Sequence, residues 1–248
     1  MRWCTKPFAT AALFCFAAWL AVAGPALHSH PSAQGDKTGK PAVQGGPLAP
    51  DRGKFRILLN GQVVGSEEFE VSSSGGTWTA RGSTTIRSSG GADVKATGLL
   101  KLAVDGAPIH YEWSAQAQKK ASGSVEFANG TAKSKVDLGG NSPVKQDFTF
   151  PSPHVAVLDN NLYDHYLLLA QLYDWNAGGK QDFPILIPQD MIPGSISVES
   201  LGPQQVENAK YEGLRVSTTD LEILLYLDAA HRLMRMDVPT SKVTILRE

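Results

Sequence analysis

The densest run of chemically capable side chains is Asp159, Asn160, Asn161, Asp164 and His165. A carboxylate and an imidazole within one turn could trade a proton as an acid/base pair, or give a metal two ligands. The same residue types are what the start of a helix requires. Asp159 or Asn160 can cap it, and Asp164 suits the positive end of its dipole. Neighbouring helical residues point in different directions, so Asp164 and His165 do not face each other, and capping is the simpler account. His110 and Glu112 stand two apart on one side of a strand, in an alternation that reads as a solvated outer face. Glu67, Glu68 and Glu70 gather negative charge but split between two faces, which reads as a solvated edge. His154 and His231 fall in turn-like contexts, and His28-Ser29-His30 lies in a Gly/Pro-rich stretch without further ligands.

Apolar residues make the second candidate site. Ile109, Tyr111 and Trp113 share one face of a strand, and Leu162, Tyr166, Leu169 and Tyr173 share one face of a helix. Such a set lines a cavity for an apolar ligand, or it is the core beneath the helix; the alternation is the same for a hollow and a filled barrel. Recognised catalytic patterns are missing. There is no G-x-S-x-G elbow, no H-E-x-x-H, no P-loop and no G-x-G-x-x-G. Two cysteines, Cys4 and Cys15, cannot build a four-thiolate zinc site. Neither a metal nor a cofactor is expected. With 23 Lys+Arg against 24 Asp+Glu, the chain has no basic footprint for nucleic acid.

The elements that would carry these residues are mostly strands. From Lys54 the dominant period is two: Phe55, Ile57 and Leu59; Glu67, Phe69 and Val71; Leu100, Leu102 and Val104; Ile109, Tyr111, Trp113 and Ala115. Asn60-Gly61 and Asn129-Gly130 are two-residue hairpin turns. Further strands are expected at about 183–188, 195–201, 205–217, 221–228, 232–238 and 242–246. Pro184 and Pro188 suggest an edge or strand ends. One helix, Asn161–Trp175, interrupts them, with Gly178-Gly179 beyond its end. The expected fold is mainly β: an antiparallel, strongly curved sheet, half-barrel or barrel, with the helix packed on its concave side.

Ahead of this domain, Arg2 and Lys6 precede an apolar run, Phe8–Ala23, that ends in Ala21-Val22-Ala23. That is the layout of a secretory signal peptide, and 16 residues closed by Gly24-Pro25 are short for a membrane span. The expected organisation is a signal peptide at 1–23, a disordered Gly/Pro-rich linker at 24–51 and a single β-rich domain at 52–248. Cleavage would remove both cysteines with Arg2 and Lys6, leaving 21 basic against 24 acidic residues, a charge of −3. No transmembrane segment would remain.

Four stretches carry a resemblance: Phe55–Gly65 (FRILLNGQVVG), Gly98–Trp113 (GLLKLAVDGAPIHYEW), Val157–Leu168 (VLDNNLYDHYLL) and Leu227–Glu248 (LDAAHRLMRMDVPTSKVTILRE). Over about residues 52–248 the pattern resembles the DUF3108-like exported bacterial β-rich domains. These look related to half-barrel lipoprotein carriers of the LolA/LolB type, and similar segments precede some secreted α/β-hydrolases. The resemblance implies a β-rich fold in the periplasm or secreted from a bacterium, and it transfers no catalytic residues. The functional expectation is a non-enzymatic domain that binds a lipid, acyl chain or other apolar ligand in its concave face. The alternatives are an interaction module that serves an envelope hydrolase in trans, and a hydrolase using Asp164 and His165.

Overall fold

The computed structural model of the chain describes residues 46–88, 91–140 and 142–248. The expected signal peptide, the linker up to residue 45, Cys4, Cys15, His28 and His30 lie outside the described residues. Gly46–Glu248 forms one compact unit. No helix of the described residues is long and apolar enough to cross a membrane.

Strand formation follows the period-two pattern. The first half is an antiparallel meander of β1 (Asp51–Leu59), β2 (Gln62–Ser74), β3 (Thr77–Ile86), β4 (Val94–Ala103), β5 (Pro108–Gln116), β6 (Lys120–Ala128), β7 (Thr131–Asp137) and β8 (Val144–Thr149). The short β9 (Ala156–Val157) and the helix α1 (Asp164–Leu172) follow. Then come β10 (Lys180–Ile187), β11 (Ile192–Val206), β12 (Ala209–Ser217), β13 (Glu222–Leu227), β14 (Leu233–Val238) and β15 (Val243–Arg247). All fifteen strands join one sheet, in the order β8-β7-β6-β5-β4-β3-β2-β1-β15-β14-β13-β12-β11-β10-β9. Every pairing is antiparallel except β9 with β10. The Asn-Gly turns behave as their type requires: Asn60 and Gly61 have φ of 51° and 77°, Asn129 and Gly130 of 51° and 75°.

The sheet has to curl. Laid flat, fifteen strands at about 4.8 Å spacing would put the outer two about 67 Å apart. Those two, β8 and β9, are joined by only six residues, 150–155, and at about 3.6 Å per residue the link reaches roughly 25 Å. The edge strands are therefore held close, and the buried side chains of both halves face one interior.

Helix α1 sits in that interior, against β3 on one side and β14 on the other. It has nine residues, shorter than the expected Asn161–Trp175, and it starts three residues later. Asn161 is in the left-handed region (φ 61°), so the helix cannot begin there. Asp164, His165, Leu167, Leu168, Leu169 and Ala170 are all buried, a helix enclosed on nearly every side rather than one with a single apolar stripe. The strand β8 was not evident in the sequence, because Lys145, Gln146 and Asp147 interrupt any apolar alternation. Near the middle of the sheet Phe55 on β1 and Phe69 on β2 stack, with ring centres 4.5 Å apart. The Arg247 guanidinium lies 5.2 Å from the Phe69 ring centre and forks onto the Asp51 carboxylate, Nη1 to Oδ2 at 2.9 Å. This buried ion pair ties β15 to β1.

Candidate functional site

The site is built around the start of α1 by two strands of the first meander. β2 turns Glu67 inward, on the face it shares with Phe69 and Val71. Its two carboxyl oxygens accept the first amides of the helix: Tyr163 N–H at 2.8 Å and Asp164 N–H at 3.0 Å. Helix N-termini leave such donors unsatisfied, and here a carboxyl from a distant strand satisfies two of them. Neither Asp159 nor Asn160 caps α1 by its side chain. The expectation of a solvated Glu67 is thereby corrected: it is fully buried. The signal was present, since the alternation already placed Glu67 with Phe69 and Val71.

Asp164 points at the same spot. A Cβ on Gly82 would stand 2.6 Å from Asp164 Oδ1 and 3.1 Å from Glu67 Oε1, so both carboxyl heads converge over that glycine. Burial first, then the charge of Asp164, push Glu67 well above the usual carboxylate range. Asp164 Oδ1 has no hydrogen-bond donor among the described residues. One proton held between the two carboxyls accounts for both facts, since a protonated Glu67 donates to Asp164.

A second branch starts from β5. The Tyr111 hydroxyl donates to Asp159 Oδ2 at 2.8 Å, and the Asn160 and Gln189 amides donate to Asp159 Oδ1 at 3.1 Å each. Burial raises Asp159 to about 7 despite these donors, and burial also holds the Tyr111 phenol protonated. His165 Nδ1 accepts the Asp159 N–H at 3.1 Å, which leaves the ring proton on Nε2. Burial lowers His165, so its neutral form is favoured. The Tyr111 and His165 rings meet edge to face, 5.4 Å between centres.

Asp164 and His165 thus sit together but do not pair: one turns to Glu67, the other to the backbone of Asp159. The arrangement can store and share protons in an interior shielded from solvent. Among the described residues there is no cluster of three or more His, Cys, Asp or Glu that could hold a metal.

The apolar candidates divide. Tyr111, Trp113, Leu162, Leu169 and Tyr173 are buried in the common core, and Tyr166 is partly exposed. Ile109 is 38% exposed, against the expectation that it shares the inward face. A β-bulge causes this: the β4–β5 register jumps from Lys101–His110 to Leu102–Pro108, so Pro108 takes the inward position and Ile109 is turned out. Glycines in the strands make the room. Gly82 and Gly98 are directly opposed on β3 and β4, and a Cβ on Gly98 would meet Leu162 Cδ1 at 2.8 Å and the Tyr111 hydroxyl at 3.0 Å. A Cβ on Gly123 would come as close to the Trp113 indole, 2.7 Å from Nε1. A cleft of about 150 Å³ opens beside the 150–155 link, lined by Pro108, Ile109, Phe127 and Val155 among others.

The remaining histidines among the described residues have local partners. His110 is bracketed on the outer face by Glu112 (3.0 Å) and Glu126 (2.8 Å). His154 pairs with Asp105 at 3.2 Å, and His231 stacks on Trp175 at 3.9 Å.

No protein-family model matches the chain. No curated protein matches it. Among solved structures, the β-barrel-like protein of a domain of unknown function, DUF1849, from Brucella abortus is similar, with a TM-score of 0.54 at 13% identity. The match covers 81% of this chain and 96% of that one. A DUF1089 family protein from Pseudomonas aeruginosa is also similar, with a TM-score of 0.41, 9% identity, and 71% and 90% of the two chains covered. The first likeness shows a shared β-barrel-like fold.

Proposed function

We propose that the chain is an exported, non-enzymatic domain that binds an apolar or amphipathic ligand, such as a lipid or acyl chain, on the concave side of its curved sheet. The observation that carries this reading is the character of the interior. Tyr111, Trp113, Leu162, Leu169 and Tyr173 converge there, and burial drives Glu67 and His165 toward their uncharged forms. An apolar enclosure with a few convergent, neutral polar groups is the usual make-up of a site for a lipid-like molecule. The cleft of about 150 Å³ at Ile109, Phe127 and Val155, beside the link between the edge strands, is where such a chain would enter. Helix α1 is then a resident plug, which a bound chain lies beside or displaces. The leader-like N-terminal sequence and the resemblance to DUF3108-like domains and lipoprotein carriers support a periplasmic or secreted site of action.

The test is direct. The purified protein is extracted with organic solvent for lipid mass spectrometry, and native mass spectrometry records the intact mass. A fluorescent fatty acid is then titrated while Trp113 emission is followed, with Trp113→Phe as the control. Co-purified lipid or saturable binding that quenches Trp113 is expected. Neither a bound mass nor saturable uptake of the probe would reject the reading.

A further inference from the structure

The free edge of β8 is self-complementary, and we propose that it pairs antiparallel with the β8 of a second copy of this chain, joining two sheets across a two-fold axis at Gln146.

The backbone sets which groups are available. Phe150 donates its N–H to Gly130 O, and the β7–β8 ladder runs from Thr131–Thr149 to Val136–Val144. Hydrogen-bonded pairs alternate in such a ladder. Phe148, Gln146 and Val144 therefore bond to β7, whereas Lys145, Asp147 and Thr149 turn their N–H and C=O groups to the open side. Val144, Lys145, Gln146, Asp147 and Thr149 are all exposed. Such a row of free donors and acceptors is a template for another strand.

Charge selects the register. For the free groups of two antiparallel copies to meet, odd-numbered residues must stand opposite odd-numbered ones. An axis at Lys145 or at Asp147 sets like charges face to face. An axis at Gln146 sets Lys145 opposite Asp147 of the second copy twice over, and each such pair closes two backbone hydrogen bonds. Thr149 N–H then meets the Pro143 carbonyl, and Pro143, which has no N–H, loses nothing there. On the other face Val144, 44% exposed, lies over Phe148 of the second copy. Within one copy Lys145 is set opposite Lys135 on β7, a like-charge pair that the incoming Asp147 relieves. A lysine on an edge strand ordinarily discourages pairing; with Asp147 two positions on, charge disfavours the registers centred on Lys145 and on Asp147 and favours this one, which alone sets both lysines opposite acids. Six residues make a small contact, so the dimer forms with concentration and exchanges.

Sedimentation velocity on the full chain, carried to about 1 mM, measures the monomer–dimer midpoint. Lys145→Asp puts acid opposite acid at both pairs and is expected to raise the midpoint at least tenfold. Lys145→Asp with Asp147→Lys restores the dimer. With Cys4 and Cys15 replaced by Ser, Gln146→Cys should cross-link to itself on mild oxidation, because residues facing across a non-hydrogen-bonded pair stand about 4.5 Å apart at Cα, within disulfide reach. Lys145→Cys should not. Circular dichroism confirms that each variant is folded. A chain that stays monomeric throughout, or a dimer indifferent to the charge reversal and to the Gln146→Cys cross-link, would overturn the proposal.

Discussion

Replacing Glu67 separates two contributions that the structure places on one side chain. Glu67→Ala removes the acceptors of the Tyr163 and Asp164 amides, both at the start of an enclosed helix. Each orphaned buried donor costs about 1–3 kcal/mol, so the loss is about 4 kcal/mol before any relaxation. With a urea dependence of about 2–3 kcal/mol per molar for a domain of this size, the unfolding midpoint falls by roughly 1.5 M. Glu67→Gln keeps the shape of the protonated acid: its carbonyl accepts the Tyr163 amide and its NH2 donates to Asp164 Oδ1, but the Asp164 N–H loses its acceptor, so its midpoint near pH 5 falls by about half as much as that of the Ala variant. The difference appears on raising the pH. The folded-state pKa of Glu67 lies above its unfolded value, so folding takes up a proton. That stabilisation is complete below about pH 4.5, the ordinary value, and is lost as pH rises toward the raised one. The Gln variant lacks this loss and should gain on the unmodified protein by up to about 1.4 kcal/mol per pH unit through that window. Urea unfolding followed by tryptophan fluorescence at pH 5, 6, 7 and 8 measures both effects. An Ala variant within 0.5 M of the parent midpoint, or a Gln variant with the parent's pH slope, would refute the shared-proton account.

Three further outcomes are expected. Gly82→Ala drives a methyl group into the Asp164 and Glu67 carboxyls, 2.6 and 3.1 Å from it, and should cost about 1–3 kcal/mol in chemical denaturation. Tyr111→Phe removes the hydroxyl that pulls Asp159 down, so a carboxyl NMR titration should find Asp159 above its present value of about 7. Its stabilising proton is then kept to higher pH, while the lost hydrogen bond costs about 1.5–3 kcal/mol. Arg247→Ala strands the buried Asp51 carboxylate and should lose about 3–5 kcal/mol, whereas Arg247→Met with Asp51→Leu should lose less, because no charge is left without its partner.

Much of this architecture was legible in the chain. The period-two pattern and the two Asn-Gly turns specify antiparallel strands, because a half-buried pleat imposes alternation and a type I′ turn demands positive φ. Tyr111, Trp113, Leu162, Leu169 and Tyr173 were visible as one apolar set for the same reason. Ile109 escaped because a bulge at Lys101–Leu102 shifts its register, and nothing in local hydrophobicity marks a bulge. Glu67 was misread because charge was given more weight than position in the alternation. Its partners, the amides of Tyr163 and Asp164, lie nearly a hundred residues away, and no local spacing reveals a cap donated from another strand. The glycines inside strands, Gly82, Gly98 and Gly123, were the better clue, since a glycine there marks a spot where another group comes close.

The pairing of β1 with β15 bears on how the molecule is assembled. Both meanders consist of hairpins between consecutive strands and can form as soon as each is made. Their junction cannot: the Asp51–Arg247 fork bridges 196 residues of chain. In a chain delivered residue by residue, β1 waits with one side bare until Val243–Arg247 emerge. The sheet is zipped at its middle last, and contacts of such long range are slow to form. During that wait β1 is the segment most open to capture by other strands, so a holding chaperone would gain most by covering residues 51–59, and refolding of the complete chain should be limited by this one closure.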